Sequence, residues 1–218
     1  MSEISLRIDV RSDLGEDLDL AVEHVRREGI IAYPTETVYG FGSLPTAKGV
    51  TRIQKIKCRT FEKPLILLTP TTEEVKGLAW NDQAALLASV FWPGPLTLLL
   101  GDPCGIFPPG IRSETGKVAV RLSSSPIVER LLDKLGCPLT STSVNLPGEP
   151  PAKSGSEAIE VISRMNGSEV ILVDSGTLPI SDPSTIVDCT VRPPQTLREG
   201  EIHITALREV IAELNGNG

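Results

Sequence analysis

The chain has 218 residues, with 28 Asp and Glu against 21 Lys and Arg, giving a formal net charge of −7. Apolar residues make up 40% and aromatics only 4%, which excludes global disorder and predicts an aliphatic core. No apolar run reaches the roughly 18 residues a membrane span needs, and the first residues, MSEISLRIDVRSD, lack a secretory core, so a cytoplasmic protein without a membrane partner is expected.

In chain order, residues 17–28 are read as an amphipathic helix with Leu18, Ala21, Val22 and Val25 on one face and Gly29 as its stop. A short buried strand at 30–33 ends at Pro34, and a helix follows at 47–57. The pattern continues with a strand at 65–68, helices at 72–78 and 82–90, and strands at 96–100 and 118–122. Ser125, Pro126 and Gly136 mark the cap, first turn and stop of a helix over 126–135. Strand 139–143, helix 156–165, strands 170–174 and 186–189, and a closing helix at 205–214 capped by Thr205 complete the reading. Strands alternating with helices predict an α/β fold with a largely buried sheet. No linker divides the chain, so one domain over 1–218 is expected. The Gly/Pro-rich loops 101–116, 147–155 and 176–183 are expected to border a site.

Several chemistries are excluded. An acidic chain without a Lys/Arg block is a poor general nucleic-acid binder. Cys58, Cys104, Cys137 and Cys189 form no C-x-x-C pair, so buried free thiols are expected rather than a zinc ribbon; Cys58, between Lys57 and Arg59, is where a thiolate would be favoured. His24 and His203 lie in no polar constellation, which argues against Ser-His-Asp and H-E-x-x-H sites. The P-loop pattern is absent, and GFGSLP after Tyr39 fails at the third glycine of the dinucleotide fingerprint.

Three polar clusters remain. YPTETVYGFG, residues 33–42, places two threonines and a carboxylate directly after a buried strand, where open α/β sheets bind ligands, although a structural turn has the same composition. Residues 55–63 hold Lys55, Lys57, Arg59 and Lys63 at a helix end, either a solvated C-terminus or a polyphosphate clamp. Residues 140–145, TSTSVN, give four hydroxyls and an amide, with Ser141 and Ser143 on one strand face, either a capped turn or a set of neutral ligand contacts.

YPTETVYGFG, K-x-R within KCRTFEKPLILL, WPGPLTLLL, VAVRL, STSVN, PSTIVD and LREGEI occur in one order over about 30–202. In this the chain resembles the YrdC/TsaC family. The resemblance implies a single domain with a twisted mixed β-sheet flanked by helices around a concave cavity. It implies an L-threonylcarbamoyladenylate synthase, a nucleotidyltransferase that condenses L-threonine, bicarbonate and ATP and releases pyrophosphate, with Mg²⁺ accompanying the triphosphate. The product would pass to a TsaD-type transferase that modifies adenosine next to the anticodon of tRNA; direct tRNA contact by this chain is not implied. By the resemblance, Lys57, Arg59, Ser143 and Asn145 act in adenylation and bind ATP. Lys63, Lys117 and Arg198 approach the nucleotide, and Thr35, Arg121, Ser141 and Ser184 hold threonine. No histidine base is needed, because a carbamate is already an anionic nucleophile. Thr60, Val144, Pro183 and Leu68 depart from the family pattern and bear on the shape of the threonine pocket. Two other readings stand beside this one: an RNA-binding or ribosome-associated module of the same fold, and a paralogue that adenylates a different carbamate.

Overall fold

Short apolar strands separated by amphipathic helices form one mixed sheet in the computed structural model, which describes residues 6–10, 18–58 and 63–216. Among the described residues the sheet has ten strands. In spatial order they are β1 (Leu6–Asp9), β8 (Ile171–Asp174), β2 (Ile31–Pro34), β3 (Tyr39–Gly42), β7 (Leu139–Ser143), β4 (Ile66–Leu68), β6 (Lys117–Arg121), β5 (Leu96–Gly101), β9 (Thr185–Asp188) and β10 (Gln195–Arg198). The pairs β1–β8, β8–β2, β4–β6 and β5–β9 are parallel and the remaining five are antiparallel. No helix among the described residues is long and apolar enough to cross a membrane.

Side chains alternate across each strand, so the two faces have different contents. On one face, Ile31, Tyr33, Leu139, Ile171 and Val173 pack against α1 (Leu18–Arg26) and α4 (Pro126–Leu135). On the other, Ala32, Leu67, Leu98, Val120 and Leu172 pack with α2 (Ala47–Ile56), α3 (Asp82–Phe91) and α5 (Gly155–Arg164). The last helix, α6 (Ile204–Gly216), packs on α3. The α1–α4 layer covers its face over β1, β8 and β2 and reaches Leu139 at one end of β7 and Leu68 at one end of β4. Over β7, β4, β6, β5 and β9, that same face carries Ser141, Ser143, Ile66, Ala119, Arg121, Leu99 and Ile186 and opens into a cavity.

Three strands, β1, β3 and β10, were not predicted. The segment 72–78 is a single 3-10 turn, Glu73–Val75, rather than a helix, and Thr205 lies inside α6 rather than at its cap. Helix α1 ends at Arg26; Asp17, its predicted start, lies outside the described residues. Glu28, not Gly29, takes the left-handed conformation, at φ 61°. Gly29 serves another purpose: a Cβ there would stand 2.2 Å from His24 Nε2, so the imidazole would have to move. The α4 signals do match the structure, with Pro126 in the first turn and Gly136 at φ 69°.

Candidate active site

The cavity over the uncovered half of the sheet holds about 530 Å³. Its walls come from four places. The β2–β3 turn supplies Thr35, Thr37 and Val38; the 101–116 loop supplies Ser113 and Thr115; Pro151 lies in the 147–155 loop and Pro183 in the 176–183 loop. All three Gly/Pro-rich loops therefore border it, as expected. Each is shaped by local polar bonds. Thr35 Oγ accepts from the Thr37 and Val38 amides at 3.2 and 3.1 Å and donates to Val38 O at 2.7 Å, which locks the first turn. Buried Asp102 accepts from the Ile106 and Phe107 amides at 2.9 and 3.1 Å and folds the start of the second. Lys153 donates to Ser181 O at 2.5 Å and ties the other two together.

The cations of the cavity stand in three different settings. Lys117 donates to Asp188 at 2.6 Å, and the other Asp188 oxygen accepts from the Thr190 amide and hydroxyl. Burial opposes ionisation of Asp188, but the bonds from Lys117 and Thr190 outweigh it and hold its pKa below the ordinary aspartate value. Arg121, at the C-terminal end of β6, donates from Nε to Gly94 O at 3.2 Å and pairs through Nη2 with Glu36. That Nη2 contact is a close ion pair without a well-directed hydrogen bond. Arg198 turns toward Ser184, reaching its carbonyl at 3.0 and 2.7 Å and its hydroxyl at 3.1 Å. Ser184 Oγ in turn meets Thr97 Oγ at 2.9 Å. Burial, and then the charge of Arg121, push Arg198 below the ordinary guanidinium value. Three cations set against two carboxylates leave one positive charge in excess. An acidic chain thus carries a cavity that attracts anions.

At the rim lies a closed polar hub. Lys57 Nζ donates to Ser143 O at 2.6 Å, Asn145 O at 3.0 Å and Asn145 Oδ1 at 2.9 Å. Ser143 Oγ donates to the same Oδ1 at 2.6 Å, and Asn145 Nδ2 donates to Leu146 O and Glu149 O, each at 3.0 Å. The Lys57 ammonium also lies 5.8 Å from the Phe41 ring centroid. An ammonium has three protons, and these three acceptors match them. The 8% exposed Lys57 is therefore buried behind Ser143 as the support of the 143–145 turn.

Of the residues predicted for the site, Thr35, Lys117, Arg121, Ser141, Ser143, Ser184 and Arg198 line the cavity. Lys57 and Asn145 join it through Ser143. Lys63 is exposed beside Pro64, itself a lining residue. Arg59 and Thr60 lie outside the described residues. Glu36, Asp188 and Thr97 were not singled out as site residues, although all three fall within motifs quoted above. For the two carboxylates the signal was charge balance, since buried cations call for nearby carboxylates. The thiols are free as expected, but Cys58 and Cys104 are exposed and only Cys189 is fully buried.

The profile of the Sua5/YciO/YrdC family, described as telomere recombination, matches residues 23–200. The chain is 33% identical to the threonylcarbamoyl-AMP synthase of Pyrococcus abyssi over 97% of its own length and 62% of that protein's. It therefore spans about three-fifths of that relative. It is 37% identical to the threonylcarbamoyl-AMP synthase of Marinobacter nauticus, over 78% of this chain and 90% of that one. A crystal structure of P. abyssi Sua5 complexed with L-threonine superposes with a TM-score of 0.85 at 31% identity, covering 97% of this chain and 62% of that one. E. coli YciO superposes with a TM-score of 0.80 at 26% identity, covering 95% of this chain and all of that one.

Proposed function

The chain belongs to the Sua5/YciO/YrdC family, and from that premise we propose that it is a threonylcarbamoyl-AMP synthase. It condenses L-threonine, bicarbonate and ATP to threonylcarbamoyl-AMP and pyrophosphate. The observation that carries this reading is the excess positive charge of a cavity that sets Lys117, Arg121 and Arg198 in a largely apolar lining.

The threonine ammonium and bicarbonate give a carbamate, water and one proton released to solvent. A carbamate oxygen then attacks the α-phosphorus of ATP, a P–O bond forms, and the bond to pyrophosphate breaks. The protein's task is to position the reactants and stabilise charge. Arg121 offers a planar fork to the threonine carboxylate, with Thr35, Ser141 and Ser184 around it. Lys117 and Arg198 face the nucleotide, together with Arg59 and Lys63. Ser143 contacts the phosphate region, and Lys57 and Asn145 keep its turn in shape. Leu99, Ile186 and the half-exposed Leu197 give an apolar surface for a flat base. Among the described residues no three or more His, Cys, Asp or Glu side chains are grouped to hold a metal. The donor set thus offers no protein cage, and Mg²⁺ belongs with the triphosphate and its water as part of the substrate. ATP use in the cytoplasm and hand-off to a TsaD-type tRNA-modifying transferase complete the proposal.

The test is pyrophosphate release from ATP and bicarbonate with each amino acid in turn. Threonine-dependent release is the expected result. ATP binding without such release overturns the assignment.

A further inference from the structure

Glu36 stands between Thr35 and Thr37 in the β2–β3 turn. Its neighbours line the cavity, whereas its own carboxylate lies behind the wall with 17% side-chain exposure. Oε1 pairs with Arg121 and accepts from the Ser124 amide at 3.2 Å, and Oε2 accepts from Ser123 Oγ. Ser123 Oγ also accepts from the Ser125 amide at 3.2 Å, at the start of α4. One carboxylate therefore joins the β2–β3 turn, the end of β6 and the start of α4. Arg121 is gripped along one edge, by Gly94 O at Nε and by Glu36 at Nη2. Its Nη1 takes no protein partner among the described residues.

We propose that Glu36 is a positioning residue, which fixes the direction in which Arg121 presents its remaining donors to the carboxylate of the amino-acid substrate. This rests on the functional reading above. The physical reason is geometric: a guanidinium binds a carboxylate well only in plane. A long side chain left on one anchor loses that alignment. The carboxylate stays ionised for the task, because Arg121 and Ser123 outweigh the effect of burial.

The sign of the effect separates positioning from simple charge. If Glu36 acted only as a counter-charge, its removal would relieve Arg121 of a competing anion and lower the threonine KM. If it positions Arg121, its removal raises that KM. The experiment is steady-state pyrophosphate release by the full chain, comparing wild type with Glu36→Gln and Glu36→Asp, alongside a titration of ATP binding. Glu36→Asp keeps the charge but is one methylene too short. Both variants are expected to raise the threonine KM about tenfold or more, with kcat at saturating threonine within about threefold and the ATP Kd within about twofold. L-threoninol, which lacks the carboxylate, is expected to inhibit wild type and both variants equally. A merely structural role would reduce the folded fraction and leave the KM of the surviving enzyme unchanged. An unchanged or lowered KM in both variants overturns the proposal. Should Glu36→Gln fail to fold, Ser123→Ala carries the test: a threonine KM raised about two- to threefold supports it, and an unchanged one overturns it. Wild-type enzyme without threonine-dependent release overturns the functional reading and this inference together, whereas threonine-dependent wild type with insensitive variants overturns this inference alone.

Discussion

Lys57 faces three oxygens of one short turn, and two of the three are backbone carbonyls. Replacing it by Met leaves the Ser143 and Asn145 carbonyls buried without a donor. Lys57→Met is expected to lower pyrophosphate release by about a hundredfold, with weakened ATP binding in a titration. Lys57→Arg is not expected to rescue it, because a planar fork cannot meet acceptors gathered round a point charge. The K-x-R and S-x-N spacing could be read directly, but the contact that unites them could not, since no pattern of side chains records where a carbonyl points. The same holds for Glu36, whose partner Arg121 lies 85 positions further along the chain. Its linkage to pH has a definite sign. Burial raises the Glu36 pKa, yet the charge and bonds of Arg121 and Ser123 bring it below the ordinary value of about 4.5. A depressed carboxylate contributes stability that is present above the unfolded-state value and is lost as pH falls through the folded one. Urea midpoints of wild type and Glu36→Gln are therefore expected to differ most above the ordinary glutamate value of about 4.5 and to converge only as pH falls through the lower folded-state value.

Elements with strong end signals could be read closely: α4 runs from Pro126 to Leu135 between its predicted cap and stop. The strands that escaped prediction each lack such a signal. β3 is Tyr-Gly-Phe-Gly, and glycine is depleted in strands because it packs no side chain. β10 is a mostly exposed edge strand with a register shift between Thr196 and Arg198, so neither face shows clean alternation. β1 is mostly exposed as well. At the far end of β10 the chain passes so close to the cavity wall that Gly200 has no room for a side chain. A Cβ there would stand 1.9 Å from Pro183 O. Gly200→Ala is expected to cost about 1–3 kcal/mol in chemical denaturation. It should also loosen the Ser184–Arg198 contacts, because the displaced backbone is the one that Arg198 grips.

At the level of the molecule, the cavity exists because α1 and α4 cover only part of one sheet face. In β6, Val118 and Val120 enter the core while Lys117, Ala119 and Arg121 face the opening. That alternation was visible in KVAVR, but which half of the sheet would stay uncovered was not, because strand order is a long-range property. A ligand that fills the cavity and binds only the folded chain should stabilise it. At about 100 times its Kd, a non-hydrolysable ATP analogue is expected to add about 2.7 kcal/mol. For a domain of this size that corresponds to a rise in melting temperature of about 5–10 °C, measurable by calorimetry. The strand order has one more consequence. β2 lies beside β8, β3 beside β7, and β5 beside β9, so each early strand waits for a neighbour made much later. During synthesis the ribosome must deliver the chain as far as Asp188 before β5 gains its outer partner. Until then the pocket lacks the wall that Ser184, Ile186 and Asp188 supply, and it closes only late in synthesis.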